Sequence, residues 1–252
     1  MIVQLEHIHK NYQSPDGEVE AIRDVTLGIA EGEFVSLVGP SGCGKSTLLS
    51  IIAGLEAPSS GNVIVDGEEV TAPTAKIGYM PQKDQLFPWR TIWGNVTLGL
   101  ELQGRKTEER CDHVRVLLER YGLADFAGKT PAQLSGGMRQ RCALIRTLAV
   151  DPRILLLDEP FSALDYQTRL SVSDDIHAII RQEGKTALLV THDISESISM
   201  SDRVVVLTGR PATVKSIHDL RELHGLAPME RRGHAVFRAF FNEIWKELDH
   251  CV

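Results

Sequence analysis

The stretch Gly39-Pro40-Ser41-Gly42-Cys43-Gly44-Lys45-Ser46-Thr47 decides the fold of this chain. It follows an apolar run at 34–38, which predicts a buried strand, and precedes an apolar run at 48–53, which predicts a helix. A glycine-rich loop in this position lets successive backbone N–H groups converge on phosphate oxygens. The Lys45 ammonium can then reach the β- and γ-phosphates, and the Ser46 hydroxyl can bind Mg²⁺. The stretch therefore predicts that residues 39–47, the phosphate loop, bind a nucleotide.

A second apolar run, at 154–157, ends in the two acidic residues Asp158 and Glu159. Asp158, at the end of the predicted strand, can hold Mg²⁺ directly or through water. Glu159, one residue further on, is placed to polarise a water molecule for attack on the γ-phosphate. Two adjacent acids could also be a solvated strand end, but the phosphate loop favours the catalytic interpretation.

A third motif, Leu134-Ser135-Gly136-Gly137-Met138-Arg139-Gln140-Arg141, precedes a predicted helix at 143–149. Ser135 and the two glycines indicate a helix N-terminus with exposed N–H groups and a hydroxyl, which together form a second anion site. One nucleotide does not need two such sites from one chain. We therefore expect Ser135 and Gly137 to cap the γ-phosphate of a nucleotide held by a second copy.

These residues make the sequence similar to the ATP-binding subunits of ABC transporters. Residues 39–47 and 154–159 match the two Walker motifs of that family, and residues 134–140 match its signature motif. Gln82 matches the Q-loop, residues 162–165 match the D-loop, and His192 matches the switch histidine. The six motifs occur in the order typical of the family, no motif residue departs from the pattern, and the resemblance covers roughly residues 1–210.

The resemblance implies an ATPase that uses ATP and Mg²⁺, with Lys45 and Glu159 among its catalytic residues, and it assigns roles to four further residues. Gln82 would contact Mg²⁺ and the attacking water, and would link the site to a transmembrane partner. His192 would reach the γ-phosphate, and Asp165 would report across the dimer interface. Tyr12 resembles the aromatic residue that stacks on adenine. A lone histidine or tyrosine is often only a packing or surface residue, so these assignments are expectations.

The predicted fold class is α/β: a P-loop NTPase with a RecA-like core, a mainly parallel sheet, an N-terminal antiparallel β subdomain and an inserted α-helical subdomain. Continuous apolar runs at 154–157, 186–190 and 204–207 are typical of strands buried on both faces. Residues 2–9 and 20–29 alternate between apolar and polar, as in a half-buried antiparallel sheet, and 58–61 predicts the end of the helix after the phosphate loop.

Helical spacing over roughly 91–150 interrupts this core. We expect an ATPase core at 1–83 and 151–210, a signature subdomain at 84–150, and a C-terminal helical tail at 211–252. An apolar stripe at i, i+4 spacing runs from Val236 to Leu248 and includes Phe240, Phe241 and Trp245. It predicts a helix that packs on its own chain, and the alternative is a helix facing a partner or a membrane.

Composition limits the location and the partners of the protein. Lys and Arg number 27 against 34 Asp and Glu, a formal net charge of −7, which disfavours nucleic acid as a partner. Cys43, Cys111, Cys142 and Cys251 show no paired or metal-like spacing, so we expect a reducing cytosol without disulfides. The sequence shows neither a signal-peptide pattern nor an apolar run long enough to span a membrane. We therefore expect a peripheral protein at the cytoplasmic face of the membrane.

The segment Phe87-Pro88-Trp89-Arg90-Thr91 follows the Q-loop, where the resemblance implies contact with the permease. An exposed tryptophan is a frequent interface anchor, although Trp89 could instead pack within the helical segment. This segment and the apolar tail are similar to the nitrate, sulfonate and taurine branch of bacterial importers. They favour a subunit of an importer for a small solute. Its expected partners are a second ATPase subunit forming a homodimer, a permease and, indirectly, an extracytoplasmic solute-binding protein.

One other function class stays open at this stage, and two more are disfavoured. An ATPase subunit of an exporter, for lipoprotein release or cell division, would carry the same motifs. A soluble ABC ATPase of DNA repair or chromosome organisation is disfavoured, because such proteins carry a long coiled coil between the Walker motifs and this chain does not. A translation-factor ATPase would normally hold two cassettes in one chain, and this chain has one.

Overall fold

The computed structural model of the chain describes residues 1–15 and 17–249, which form two sheets and the helices around them. The strands are β1 (Val3–Ser14), β2 (Gly17–Ile29), β3 (Phe34–Val38), β4 (Ser60–Val65), β5 (Glu68–Glu69), β6 (Ile77–Met80), β7 (Ile154–Asp158), β8 (Thr186–Val190), β9 (Arg203–Leu207) and β10 (Val214–Asp219). The helices are α1 (Lys45–Ile52), α2 (Ile92–Val96), α3 (Leu98–Leu102), α4 (Glu108–Arg120), α5 (Gly136–Leu148), α6 (Tyr166–Gln182), α7 (Ile194–Met200), α8 (Pro228–Gly233) and α9 (Phe237–Asp249).

The first sheet is antiparallel and has the strand order β2-β1-β4-β5. Its two long strands pair from Val3 opposite Ile29, and the alternation in their sequences buries residues such as Leu5 and Ile8. The predicted N-terminal antiparallel sheet is therefore confirmed. The turn between β1 and β2 was predicted at 14–17, and Asp16 within it lies outside the described residues.

The second sheet has the order β10-β9-β3-β8-β7-β6, and all of its strands except β10 run parallel. Every residue of β3, β7 and β8 is buried, as their continuous apolar runs predicted. Parallel strands end at the same edge of a sheet, and ligands bind at that edge in open α/β sheets. The residues that follow β3, β6, β7 and β8 therefore come together, and these four segments carry the predicted motifs.

Two apolar clusters cover the two faces of the parallel sheet. Leu155 and Leu157 of β7 point toward α2, α4, α5 and α6. Their neighbours Ile154 and Leu156 point toward α1 and the antiparallel sheet. This alternation along one strand places the helical segment on one side of the sheet and the antiparallel sheet on the other.

The helices α2 to α5 occupy the chain between β6 and β7, where helical spacing predicted them. The apolar face of α4 is buried at Cys111, Val114, Leu117 and Leu118. The Thr107 hydroxyl accepts a hydrogen bond from the backbone N–H of Arg110 at 3.3 Å and caps this helix. Helix α5 begins at the predicted signature motif, which places that motif on the helical side of the molecule.

The segment after residue 210 differs in part from the predicted helical tail. It begins with β10, which pairs antiparallel with β9, so the helical prediction was wrong for 214–219. Half-buried and exposed residues alternate along β10, a period of two that suits an edge strand. Helix α9 follows the apolar stripe and packs on the body of the chain through the fully buried Ile244, as predicted.

Two further observations concern the sequence expectations. No helix in the described part of the chain combines the length and apolar character needed to cross a membrane. Cys43, Cys111 and Cys142 are buried and form no disulfide among the described residues, and Cys251 lies outside them.

Candidate active site

The phosphate loop connects β3 to α1 and takes a backbone shape that its glycines permit. Gly42 and Gly44 have φ angles of 72° and 122°, which side chains with a Cβ rarely adopt. A Cβ on Gly44 would lie 3.1 Å from the carbonyl oxygen of Ala21, and one on Gly39 would lie 3.0 Å from the Sγ of Cys43. Glycine is therefore needed at these positions, and Cys43 fills the inside of the turn.

The side chain of Lys45 lies along the inside of this loop. Its ammonium donates hydrogen bonds to the carbonyl oxygens of Gly39 and Pro40 at 2.8 and 2.9 Å. The side chain is buried, so the charge is held at the loop by hydrogen bonds instead of by bulk water. A phosphate oxygen placed over the loop would be a stronger acceptor for this ammonium than these neutral carbonyls.

Ser46 and Asp158 meet at the start of α1 and the end of β7. The Ser46 hydroxyl donates to Asp158 Oδ1 at 3.1 Å. Burial raises the pKa of Asp158 above its ordinary value. A hydroxyl and a carboxylate are the oxygen donors that Mg²⁺ takes beside nucleotide phosphates, so this pair fits the predicted metal ligands. In the part of the chain that the structure describes, no three His, Cys, Asp or Glu residues group as a metal site, and this pair needs no such group.

Tyr79 is a contact of Asp158 that the sequence did not predict. Its hydroxyl donates to Asp158 Oδ2 at 3.2 Å, on the opposite carboxylate oxygen from Ser46. Burial raises the pKa of Tyr79 to about 12, so the hydroxyl keeps its proton and remains a donor. The only signal in the sequence was a tyrosine within the apolar strand β6, and such residues are usually packing residues. The contact of Tyr79 with Asp158 depends on the parallel pairing of β6 with β7.

Glu159 follows β7 in an uncommon backbone conformation. Its φ is 44°, in the left-handed region, and its backbone N–H donates to the carbonyl oxygen of Val190 at 2.9 Å. A non-glycine residue held in this region is often found at a functional site, because surrounding contacts must stabilise it. The conformation turns the Glu159 side chain away from the strand and toward the residues after β6 and β8.

Gln82 and Ser162 approach Glu159 from one side. Gln82 Nε2 lies within hydrogen-bonding distance of Glu159 Oε2 at 3.2 Å and of Ser162 Oγ at 3.3 Å. The Ser162 hydroxyl donates to the Glu159 carbonyl oxygen at 3.0 Å. The structure thus brings Gln82 to the predicted catalytic carboxylate, and Ser162 is a link that the D-loop resemblance did not single out.

His192 approaches the same carboxylate from β8. Its Nδ1 lies 3.2 Å from Glu159 Oε2. The next residue, Asp193, caps α7 by accepting hydrogen bonds from the backbone N–H groups of Ser195 and Glu196 at 2.7 and 3.1 Å. A capped helix therefore begins directly after His192 and fixes the backbone that carries it.

Ser135 caps α5 as the third motif predicted. Its hydroxyl accepts a hydrogen bond from the backbone N–H of Met138 at 3.3 Å, and the residue is exposed. Gly137 is buried against α6, where a Cβ would lie 2.7 Å from Val172 Cγ2. Both residues thus make their contacts with α5 and α6, and the hydroxyl of Ser135 stands at an exposed helix N-terminus.

Asp165 and Tyr12 each make local hydrogen bonds within the chain. The Asp165 carboxylate caps α6 by accepting from the backbone N–H of Thr168 at 3.1 Å, and hydrogen bonding from Thr168 lowers the Asp165 pKa. The Tyr12 hydroxyl donates to Glu56 Oε2 at 2.9 Å and lies 3.3 Å from Thr47 Oγ1. Tyr12 is therefore beside the end of the phosphate loop, with part of its ring exposed.

Trp89 is directed outward from the segment after Gln82. It is 76% exposed and contacts Phe87, with ring centroids 5.1 Å apart. The fully buried Asn95 holds this segment: its Oδ1 accepts from the Phe87 backbone N–H at 2.7 Å, and its Nδ2 donates to the Phe87 carbonyl oxygen at 3.1 Å. Packing of Trp89 within the helical segment, the alternative left open by the sequence, is not observed.

Comparison with known proteins places this chain in one protein family. The family model described as ABC transporter matches residues 22–162. An uncharacterized ABC transporter ATP-binding protein of Bacillus subtilis is 46% identical over 98% of this chain and 95% of its own length. A nitrate import ATP-binding protein of Synechocystis sp. is 42% identical over 85% of this chain and 81% of its own length. An aliphatic sulfonates import ATP-binding protein of Bacillus thuringiensis subsp. konkukian is 39% identical over 99% of this chain and 97% of its own length.

A solved structure confirms the predicted fold. The dimeric, post-hydrolysis state of the ATP-binding cassette MJ0796, bound to ADP and Pi, matches 87% of this chain and 99% of its own with a TM-score of 0.74 and 34% identity. The RecA-like core, the antiparallel sheet and the inserted helices predicted from the sequence are thus those of an ATP-binding cassette.

Proposed function

This chain belongs to the ABC transporter family as an ATP-binding ATPase subunit, and we propose that it drives uptake of a small solute through a separate permease. The meeting of Gln82, Glu159 and His192 beside the Ser46–Asp158 pair is the observation that carries the ATPase part of the proposal. The sequence similarity to proteins named for nitrate and sulfonate import supports an importer, and supports a small anion of that kind as solute.

The nucleotide is held, in this proposal, by the phosphate loop of one chain. The backbone N–H groups of residues 41–47 surround the phosphates, and Lys45 exchanges its carbonyl acceptors for the β- and γ-phosphate oxygens. Tyr12 stacks on the adenine through the exposed part of its ring. Ser46, Asp158 and Gln82 would hold Mg²⁺, which would supply charge neutralisation at the phosphates.

Glu159 is the proposed general base for hydrolysis. Its carboxylate lies at the edge of the sheet where the γ-phosphate would emerge from the loop, and it can accept the proton of a water molecule. Gln82 and His192 hold this carboxylate from two sides at 3.2 Å, so its orientation depends on both. Once a γ-phosphate is present, His192 is close enough to change partner and contact it. Catalysis by these residues rests on positioning and charge stabilisation.

A second copy completes the site in this proposal. Ser135 is exposed at the start of α5, where an anion can approach it. Facing the phosphate loop of another copy, Ser135 and Gly137 would donate N–H groups to the γ-phosphate, and Asp165 would lie at the same interface. We assign these roles to a homodimer with two equivalent sites, formed by an ATPase core (1–83 and 151–210) and a signature subdomain (84–150).

The permease is proposed to bind at the segment that carries Trp89. This side chain is the most exposed tryptophan for which the structure gives an exposed fraction, and the segment is tied to the site through Gln82. Closure of the dimer around ATP would move this segment with the permease, and hydrolysis would release it. The protein would therefore lie peripherally at the cytoplasmic face of the membrane and would reach the solute-binding protein only through the permease.

Affinity capture of the tagged chain from detergent-solubilised native membranes tests this function. The expected result is a polytopic permease in near-stoichiometric amount, which reconstitution would show to take up nitrate or an alkanesulfonate with ATP. Recovery of the chain alone, with and without Mg·ATP, would contradict the transport function while leaving its ATPase activity intact.

A further inference from the structure

The C-terminal helix α9 is fixed against the helix that follows His192. Ile244 of α9 is fully buried and packs in one cluster with Ile194 and Ile198 of α7. One turn further along α9, the carboxylate of Glu247 accepts a hydrogen bond from the Ser216 hydroxyl and lies 3.3 Å from His218 Nε2. Apolar and polar contacts therefore hold α9 at a defined position beside the active site.

The exposed side of α9 forms one wall of a cavity next to the phosphate loop. Trp245 is 56% exposed and stacks on Phe241, with centroids 6.1 Å apart and planes at 17°. Trp245, Leu248 and Asp249 line one side of a cavity of about 280 Å³. The other side is lined by Gly39, Pro40, Ser41, His192 and Ile194. The cavity is thus a mostly apolar extension of the surface that carries the phosphate loop.

Another exposed aromatic residue begins the helix α6, which packs against the start of α5. A Cβ on Gly136 would lie 3.0 Å from Leu164 Cδ2, so the start of α5 is packed closely against the segment that leads into α6. Tyr166 is the first residue of α6, directly after the capping Asp165, and it is 68% exposed. When Ser135 approaches the phosphate loop of a second copy, Tyr166 must approach the rim of that loop with it.

We propose that Tyr166 of each copy packs against Trp245 of the other copy in the ATP-bound dimer, within the cavity beside the phosphate loop. The inference rests on the proposed function, because it requires Ser135 to face the second copy's phosphate loop. The cavity continues the surface used by that interface, and a two-fold axis produces the contact twice. Two aromatic rings in such a contact gain from an offset or edge-to-face arrangement. Helix α9 is then part of the dimer interface and connects it to α7 and His192.

Disulfide crosslinking between two different variants tests the contact directly. Tyr166→Cys and Trp245→Cys are each introduced into the Glu159→Gln chain, mixed in equal amounts with Mg·ATP, and oxidised with copper phenanthroline. We expect a disulfide-linked dimer from the mixture with Mg·ATP and none with Mg·ADP. Each variant alone controls for the native cysteines, and a mixture of Leu102→Cys with Trp245→Cys controls for chance collisions, since Leu102 is also highly exposed.

Light scattering of the same mixtures separates the two ways in which the experiment can fail. A dimer that forms with Mg·ATP but gives no disulfide between the two substituted positions would overturn the α9 contact and leave the proposed function standing. If no dimer forms with Mg·ATP, the two-copy site is wrong and the contact fails with it.

A double-mutant cycle gives an independent measurement. Each dimer contains the aromatic contact twice, and the loss of one contact should weaken dimerisation about tenfold. Trp245→Ala and Tyr166→Ala should therefore each weaken ATP-dependent dimerisation by about 100-fold. The double variant should be no weaker than the weaker single variant, because both substitutions remove the same contact. Effects that multiply in the double variant would show that the two side chains do not touch. ATP affinity of the monomer should be unchanged in all three.

Discussion

His192 Nδ1 lies 3.2 Å from Glu159 Oε2. The residues that follow the neighbouring parallel strands β7 and β8 therefore meet at the carboxylate of Glu159. Gln82 Nε2 reaches the same oxygen at 3.2 Å from beyond a third strand. The position of the Glu159 carboxylate thus depends on the three strands β6, β7 and β8 together. A side chain held in this way is already oriented before substrate binds, which reduces the cost of positioning it during catalysis.

Replacing this carboxylate should separate binding from hydrolysis. Glu159→Gln keeps the shape and the contact with His192 but removes the proposed general base, so the rate of phosphate release should fall about 10²- to 10⁴-fold. Binding of a fluorescent ATP analogue should be unchanged, because the phosphate loop is intact. Glu183→Gln, at a carboxylate that pairs with Arg120 instead, is the matched control and should keep wild-type turnover. Hydrolysis by Glu159→Gln at the wild-type rate would exclude Glu159 as the base.

Tyr79 should affect the metal more than the nucleotide. Tyr79→Phe removes the hydroxyl that donates to Asp158 Oδ2 and leaves the carboxylate less well oriented for Mg²⁺. Loss of such a supporting hydrogen bond typically weakens metal affinity about tenfold or more. Titration with Mn²⁺, followed by electron paramagnetic resonance in the presence of ADP, measures this affinity. Tyr121→Phe, which loses hydroxyl contacts with Glu183 and Arg120 away from the site, is the control and should bind Mn²⁺ like the wild type. Equal affinity in both variants would remove Tyr79 from the site.

The buried His177 predicts a pH dependence of stability. Burial, together with the nearby positive charges of Arg181 and Arg231, lowers its pKa from 6.5 to about 4 against an opposing effect of Asp202. The unfolded chain therefore binds a proton at His177 at a higher pH than the folded protein does. Between pH 6.5 and 4 the unfolded state holds more protons, so the free energy of unfolding falls as the pH is lowered, by about 3 kcal/mol from this residue.

Urea denaturation at about pH 7, 5.5 and 4.5 measures this contribution. His177→Gln can still accept the hydrogen bond from Arg181 Nε, which lies 3.4 Å from His177 Nε2, but it cannot take up a proton. The variant should lose less stability than the wild type over this range. Parallel pH dependences in the two proteins would show that His177 does not titrate as its burial implies.

Trp89 should matter for the permease and not for ATP. Trp89→Ala removes an exposed aromatic side chain and leaves the Asn95 hydrogen bonds that hold its segment in place. Recovery of the permease with the tagged chain should fall about tenfold or more, as for an interface anchor, with ATP affinity unchanged. Met229→Ala, at an exposed methionine on α8, is the control and should retain the permease. Equal recovery from both variants would show that Trp89 is not the anchor.

The motif residues could be named as candidates from the sequence because their signals are local. The phosphate loop, the acidic end of β7 and the capped start of α5 are each formed by residues that are close together in the sequence. The meeting of Gln82, Glu159 and His192 also follows from sequence reasoning, since the ends of parallel strands share one edge. That Gln82 and His192 approach the same oxygen of Glu159 could be seen only in the structure. The left-handed backbone of Glu159, which directs its side chain, has no signature in the sequence.

Features that depend on tertiary contacts were harder to predict. The helix after the phosphate loop was expected to end near residue 58 but ends at Ile52. Gly54 has a φ of 71°, and a Cβ there would lie 2.5 Å from the backbone of Ala72, so a distant segment fixes this turn. Tyr79 and Asn95 are ordinary residues in the sequence, and their hydrogen bonds to Asp158 and Phe87 appear only when their elements are packed together.

Light scattering of the Glu159→Gln chain tests most directly the central claim that two copies share each nucleotide. With Mg·ATP the measured mass should double, and with Mg·ADP it should remain that of one chain. Ser135→Arg in the same background should stay monomeric, because a large side chain at the exposed start of α5 would block the approach to the second phosphate loop. A Glu159→Gln chain that binds ATP at saturation and remains monomeric would contradict the account.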